Sequence, residues 1–285
     1  MTNLANHPCF SIQCQPATGR IHLPVAPRCN IFCRFCSRGF TKTVDRPGQA
    51  SRVLNPEEAL AVIDTALMLC PELKVAGVAG PGDPLAGDEA LDTLIMVRQR
   101  HPELINCMST NGLELFSSME RILAAGIRTI TVTVNAVNPK ILAALNKGVI
   151  IKGQFYGEEL GARLLIEAQE NGVRLAHQNN LVIKINTVLV PSINDGHVGE
   201  VARQAKDWGA DLLNIIPLIP GNELKHLPEP TLAEKEAAEK QASKYLPVKQ
   251  NCRRCRADAC GIPGVTDYSR EIYGQLEIAE TFSHG

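Results

Sequence analysis

From Arg20 onward, short β-rich apolar runs alternate with helical stretches, and few folds accommodate such an alternation. The runs 21–25, 74–79, 104–108, 129–134, 181–189 and 212–218 read as strands. Helices are expected after an Asn55 cap with Pro56 and Glu58 in its first turn, and over 89–98, 118–125, 158–171, 197–208 and 232–244. Six such units predict an α/β fold, a TIM-like partial (β/α)6 barrel with its chemistry at the carboxyl ends of the strands. Residues 1–19 read as an N-terminal arm, 20–220 as the barrel, and 221–285 as a C-terminal helix with a cysteine-rich tail. Both arms are expected to fold over the barrel mouth.

Directly after the first strand come Cys29, Cys33 and Cys36, spaced C-x-x-x-C-x-x-C. Three thiolates hold only three irons of a cubane cluster, leaving the fourth iron open to a chelating ligand. That arrangement resembles the 4Fe-4S centre of radical S-adenosylmethionine (SAM) enzymes, which break a carbon–sulfur bond. A structural zinc site would show paired C-x-x-C halves supplying four ligands, whereas this triplet is odd-numbered and compact. An electron-carrier cluster would bring a fourth cysteine nearby, and the next one is Cys70. Phe35, just before the third cysteine, fits the radical SAM pattern, in which that position packs near the adenine.

Composition narrows the function classes. A formal net charge of -1 with no basic run argues against a nucleic-acid partner. No apolar stretch approaches the roughly 20 residues that cross a bilayer, and the N-terminus lacks a secretory layout, so a cytoplasmic protein with no membrane partner is expected. The 10 cysteines then point to metal binding rather than disulfides, because the cytosol keeps thiols reduced.

Polar clusters fall at the expected carboxyl ends of the strands. Gly80, Pro81, Gly82 and Asp83 follow the second strand, where glycines let backbone approach a ligand closely. An ordinary βα turn would look similar. Ser109, Thr110 and Asn111 end the third strand, Asn135 ends the fourth, and Asn186 and Asn214 lie in the fifth and sixth. These residues are candidates for holding SAM, although a polar residue at a strand end often caps the next helix instead. His22, Cys9, Cys70 and Cys107 read singly as ordinary buried residues. The Cys252/Cys255 pair, spaced C-x-x-C, reads as a metal clamp.

Taken together, these residues resemble the NifB family of radical SAM maturases, which build the carbide-containing core of the nitrogenase cofactor. The matching pieces run from His7-Pro8-Cys9 through residues 20–27, the cysteine triplet with Asn30-Ile31, Arg46-Pro47-Gly48, residues 79–85 and 109–112, to residues 252–261. The resemblance implies a radical SAM barrel with one resident 4Fe-4S cluster and SAM. It also implies two additional 4Fe-4S clusters as substrate, fused with an added sulfur and a carbon from a SAM methyl group into an eight-iron product. By the same resemblance Cys9, His22, Cys107, Cys252 and Cys255 become candidate ligands of the substrate clusters. An iron–sulfur cluster donor, an electron donor and a separate carrier or scaffold protein are the implied partners.

The chain also departs from the family pattern, which has an Asp-Cys pair after the triplet and then Glu-x-Arg-Pro. Residues 40–47 contain no cysteine, and Val44 stands where the glutamate is expected unless the loop shifts to use Asp45. Cys14 and Cys260 occupy positions where the pattern requires no cysteine. A radical SAM paralogue acting on another metallocofactor or a peptide, and a non-catalytic iron–sulfur carrier, are the competing readings.

Overall fold

A computed structural model describes residues 7–11, 18–41, 44, 46–250, 252 and 255–274. Cys14 and Asp45 therefore lie outside the described residues. In chain order the elements are β1 (Gly19–His22), β2 (Ile31–Cys33), β3 (Gly39–Phe40), β4 (Gln49–Ala50), α1 (Pro56–Leu69), β5 (Leu73–Val78), α2 (Glu89–Arg100), β6 (Ile105–Thr110), α3 (Met119–Ala124) and β7 (Thr129–Thr133). There follow α4 (Pro139–Leu145), β8 (Asn146–Ile151), β9 (Gln154–Gly157), α5 (Glu158–Gln178), β10 (Val182–Leu189), α6 (Val198–Trp208), β11 (Leu212–Pro217), α7 (Leu232–Ala242), β12 (Cys260–Gly261) and α8 (Ser269–Tyr273).

The main sheet has the order β11-β10-β7-β6-β5-β1-β12, its first six strands parallel and β12 antiparallel to β1. This is the partial barrel that the alternation predicts, and each expected strand is present within one to three residues at its ends. Alternate residues explain the layering. Ile183 and Ile185 of β10 are buried in the core with Ile130 and Val132 of β7, whereas Lys184 and Asn186 fall on the opposite face. The helices close over the apolar face: α1 begins with the expected capping box between Asn55 and Glu58, and α7 with one between Thr231 and Glu234.

Helix α5 and the β8–β9 hairpin differ from the sequence expectation. Helix α5 continues past Asn171 to Gln178, because Gly172 serves helix packing rather than termination: a Cβ there would lie 2.7 Å from Leu115 Cβ. The β8–β9 hairpin turns at Lys152 and Gly153, both at positive φ (51° and 78°), as a tight two-residue turn requires. Its strand β8 pairs with β2 and so anchors the cysteine loop, with Asn146 Oδ1 accepting from Phe32 N–H at 3.2 Å.

The tail shares the barrel's core, to which Ala238, Leu246, Cys260 and Tyr273 all contribute. It leaves the edge of β11 at the Leu213–Val248 bridge and returns along β1, with Ile21 opposite Cys260. Between these points it meets the mouth: Ala257 N–H donates to Gln49 O at 2.8 Å, and a Cβ on Gly80 would touch Ala257 at 3.1 Å. The described part of the N-terminal arm lies lower, where Lys249 Nζ donates to Pro8 O and Ser11 O. No helix among the described residues is long and apolar enough to cross a membrane.

Candidate metal centre and cofactor cavity

At the carboxyl end of the sheet a cavity of about 240 Å³ is lined by Cys29, Cys33, Cys36, Phe35, Pro81, Gly82, Asp83, Ser109, Thr110, Asn111 and Asn186. The turn after β5 is bound to the approach of the cysteine loop. Gly82 N–H donates to Ala26 O and Asp83 N–H to Arg28 O, both at 2.7 Å, and a Cβ on Gly82 would sit 1.9 Å from Arg28 O. Only glycine permits that approach. Gly80, at φ 129°, supports the turn without lining the cavity. The Asp83 carboxylate accepts from Thr110 Oγ1 (2.9 Å), Asn111 N–H (2.5 Å) and Leu85 N–H (2.9 Å). Asn111 Nδ2 then donates to Asn30 Oδ1 at 2.7 Å, beside the first cysteine. One buried carboxylate thus orders the ends of β5 and β6 against the cysteine loop.

The thiols themselves are held in the neutral form. Burial, then the Asp83 carboxylate, pushes Cys29 up to about 12, and burial lifts Cys33 well above its ordinary value. Cys36 is raised by burial as well, against the pull of Arg38 and Arg46. Buried thiolates are costly unless a metal compensates them, and metal binding is what deprotonates such a group. Among the described residues no group of three or more His, Cys, Asp or Glu side chains is arranged to hold a single ion. Three cysteines at one cavity leave one corner of a four-iron cluster without a protein ligand, whereas a structural zinc site closes with four.

Asn135 does not reach this cavity. Its Oδ1 accepts from Val188 N–H (2.9 Å) and its carbonyl from Asn194 Nδ2 (2.9 Å), so it ties β10 to the loop before α6. Arg38 and Thr133 line the cavity without having been singled out from the sequence, and Arg46, from the Arg46-Pro47-Gly48 match, lines it too. Arg46 also donates to Ile219 O at 3.1 Å, fastening its loop to the end of β11.

A second group of candidates lies deeper on the same face of the sheet. Cys107 precedes Ser109 by two residues, a drop of about 6.6 Å along a strand. His22, Gly77 and Cys107 occupy one row across β1, β5 and β6. His22 Nδ1 lies 3.0 Å from Arg256 O. A carbonyl only accepts, so Nδ1 carries the proton and Nε2 keeps its lone pair, the tautomer a metal ligand needs. Burial, with Arg20 adding, lowers His22 to about 3 and keeps the ring neutral.

Cys107 is raised to about 12 by burial, with Cys9 adding to the shift. Cys252 Sγ accepts from Asn214 Nδ2 at 3.3 Å, and Asn214 in turn donates to Asn186 Oδ1 at 3.0 Å, linking the tail to the upper cavity. Cys255 Sγ accepts from Arg20 Nη2 at 3.2 Å. Cys9 and Cys255, both half-buried, thus approach the interior that His22 and Cys107 line, while Cys252 is exposed and tied to it through Asn214. Cys260 does not approach it, being buried in the hydrophobic core with Cys70.

Known proteins agree with this geometry. The model of the radical SAM superfamily matches residues 23–205. The FeMo cofactor biosynthesis protein NifB of Methanocaldococcus jannaschii is 44% identical over 98% of this chain and 95% of its own length. Its counterpart from Klebsiella pneumoniae is 37% identical over 97% of this chain, which spans 60% of that longer protein. Among solved structures, a radical SAM methyltransferase from Sphaerobacter thermophilus superposes with a TM-score of 0.61 at 18% identity, covering 82% of this chain and 66% of its own. Streptococcus suis SuiB gives 0.56 at 13% identity over 78% of this chain and 46% of its own. The chain belongs to the radical SAM superfamily and, within it, to the NifB family.

Proposed function

We propose that this protein matures the FeMo cofactor of nitrogenase, taking two 4Fe-4S clusters as substrate and joining them, with an added sulfur and a SAM-derived carbide, into an eight-iron precursor. The observation that carries this reading is two sets of thiol and imidazole side chains on one face of the sheet, the triplet at the cavity above, and below it His22 and Cys107, to which the two arms bring Cys9, Cys255 and the exposed Cys252. A radical SAM enzyme with no cluster beyond its resident one does not need the lower set of ligands, and a passive carrier does not need the SAM cavity.

Cys29, Cys33 and Cys36 would hold the resident cluster, with Phe35, Gly82, Ser109, Thr110, Asn111 and Asn186 around SAM. A 4Fe-4S cluster with one open iron supplies reductive cleavage of bound SAM and so a 5′-deoxyadenosyl radical. Asp83 acts indirectly, by fixing Thr110 and Asn111. The lower-tier side chains hold the substrate clusters near the methyl group they accept. His22, a neutral imidazole, is a more readily released iron ligand than thiolate, which suits clusters that must be rearranged. Held across the mouth through Ala257 and along β1 through Cys260, the tail would limit the access of water and oxygen to the clusters. A cluster donor, an electron donor and a carrier protein for the product are the partners this chemistry requires.

The test is anaerobic assay of SAM products. Alanine at Cys29, Cys33 or Cys36 is expected to abolish 5′-deoxyadenosine, and retained cleavage would refute the assignment of the triplet. Formation of S-adenosylhomocysteine together with an eight-iron product that activates cofactor-free nitrogenase distinguishes the maturase from a paralogue with another substrate.

A further inference from the structure

Arg20 and Lys184 are buried in the lower tier, at 6% and 5% exposure, and no carboxylate among the described residues lies within ion-pair reach of either. Arg20 Nη1 donates to Gly261 O (2.9 Å) and Nη2 to Cys255 Sγ (3.2 Å), while its buried Nε has no acceptor. Lys184 Nζ donates to Cys9 O (3.1 Å) and stands 4.8 Å from the centroid of the Phe10 ring. A buried cation costs several kcal/mol unless something anionic compensates it. Such a charge is retained where a ligand supplies the missing sign.

We propose that Arg20 and Lys184 are positioning residues for the anionic iron–sulfur cargo, supplying the positive charge that clusters held by several thiolates demand. The inference rests on the reading that the lower tier receives substrate clusters, and it adds what holds their charge. Each cation sits beside a different candidate arm ligand: Arg20 on the sulfur of Cys255, Lys184 on the carbonyl of Cys9. Charge is therefore supplied on both the tail side and the N-terminal side of the cargo. An N–H···S bond and a nearby cation both favour the reduced, more negative state of a cluster.

The test uses the chain carrying Cys29→Ala, Cys33→Ala and Cys36→Ala, so that cargo clusters alone give signals, reconstituted anaerobically with iron and sulfide. In that background Lys184→Met and Arg20→Met are each expected to lower the reduction equilibrium of the cargo clusters about tenfold, 59 mV for a one-electron couple, in a redox titration followed by electron paramagnetic resonance. Lys184→Arg and Arg20→Lys should restore it. Without iron, Lys184→Met should instead melt about 2–4 °C higher than its parent, since an uncompensated buried charge has been removed. A side chain with a merely structural role would lower that melting point.

Potentials unmoved in both methionine variants, with iron retained, would overturn the inference and leave the function intact. Iron lost from Lys184→Met and not regained in Lys184→Arg would also overturn it, because shape rather than charge would be at work. A parent that binds no iron at all defeats the reading and the inference together.

Discussion

His22 and Cys107 stand two strands apart in one row of the sheet, with Gly77 between them. A Cβ on Gly77 would come within 2.8 Å of Cys107 Sγ and 3.8 Å of His22 Cδ2. The glycine therefore leaves space in the row that a metal cluster bound by its two neighbours would use. Gly77→Ala should fold, at a cost of about 1–3 kcal/mol, because Cys107 can turn aside. It should take up fewer irons per chain than the wild type while still producing 5′-deoxyadenosine. Undiminished iron would show that Cys107 is not held for ligation.

Asp83 governs the upper tier in a comparable way. Its two oxygens accept from Thr110, Asn111 and Leu85, and an amide in its place would oppose one N–H donor to another. Asp83→Asn should lose about 2–3 kcal/mol in urea unfolding. It should also weaken SAM binding, measured calorimetrically on the reconstituted protein, because the Asn111–Asn30 contact beside Cys29 loses its support. Unchanged SAM affinity in a destabilised variant would confine Asp83 to a folding role.

His197 makes stability depend on pH. Its Nε2 accepts from Val137 N–H at 3.2 Å, and burial lowers its pKa below 6.5, with Glu200 opposing. The unfolded chain then binds more protons below about pH 6.5, so stability is full above that value and falls as the pH drops toward the folded pKa. Between about pH 7.5 and 5.5 the wild type should lose stability in urea, and His197→Gln, which keeps an acceptor for Val137, should lose less. His7 and His22, each lowered to about 3 by burial, add to the wild-type slope in the same sense. Equal slopes in wild type and variant would remove His197 from this account.

Much of this architecture is legible in the sequence because it is locally encoded. Alternation marks β10, the capping box marks α1, and spacing alone identifies the triplet. What escapes is non-local. β12 has two residues, Cys260 and Gly261, and exists only because β1 offers an unpaired edge. Lys184 in the pattern Val-Ile-Lys-Ile-Asn reads as a solvated strand position, yet the polar face of this strand lines the barrel interior. Arg20 hides similarly, one residue before an apolar strand. Asn135 shows the opposite error, since a polar residue at the right strand end spends its side chain on the neighbouring backbone. The β8–β9 hairpin did carry a signal, the Lys152-Gly153 turn between apolar runs.

Arg256 and Asp258 decide whether the tail stays in place. Asp258, 1% exposed, accepts from Arg256 Nε (2.7 Å) and Nη2 (3.0 Å) and from Ser51 N–H (2.6 Å). Arg256 also donates to Thr41 O (2.6 Å) and Val44 O (2.7 Å), so one ion pair joins the tail to the loop that follows the cysteine triplet. Removing one partner of a buried pair leaves the other charge uncompensated, at about 3–5 kcal/mol. Asp258→Ala should accordingly lower the urea midpoint strongly. Because Arg256 O is also the partner of His22 Nδ1, and Cys255 is its neighbour, the loss should reach the lower tier as well. Limited proteolysis should cut the variant first between residues 249 and 259, and its iron uptake should fall at that end alone. An Asp258→Ala chain that unfolds earlier yet resists cleavage there and takes up full iron would show that the tail is held by its hydrophobic anchors, Cys260 and Tyr273, and not by this pair.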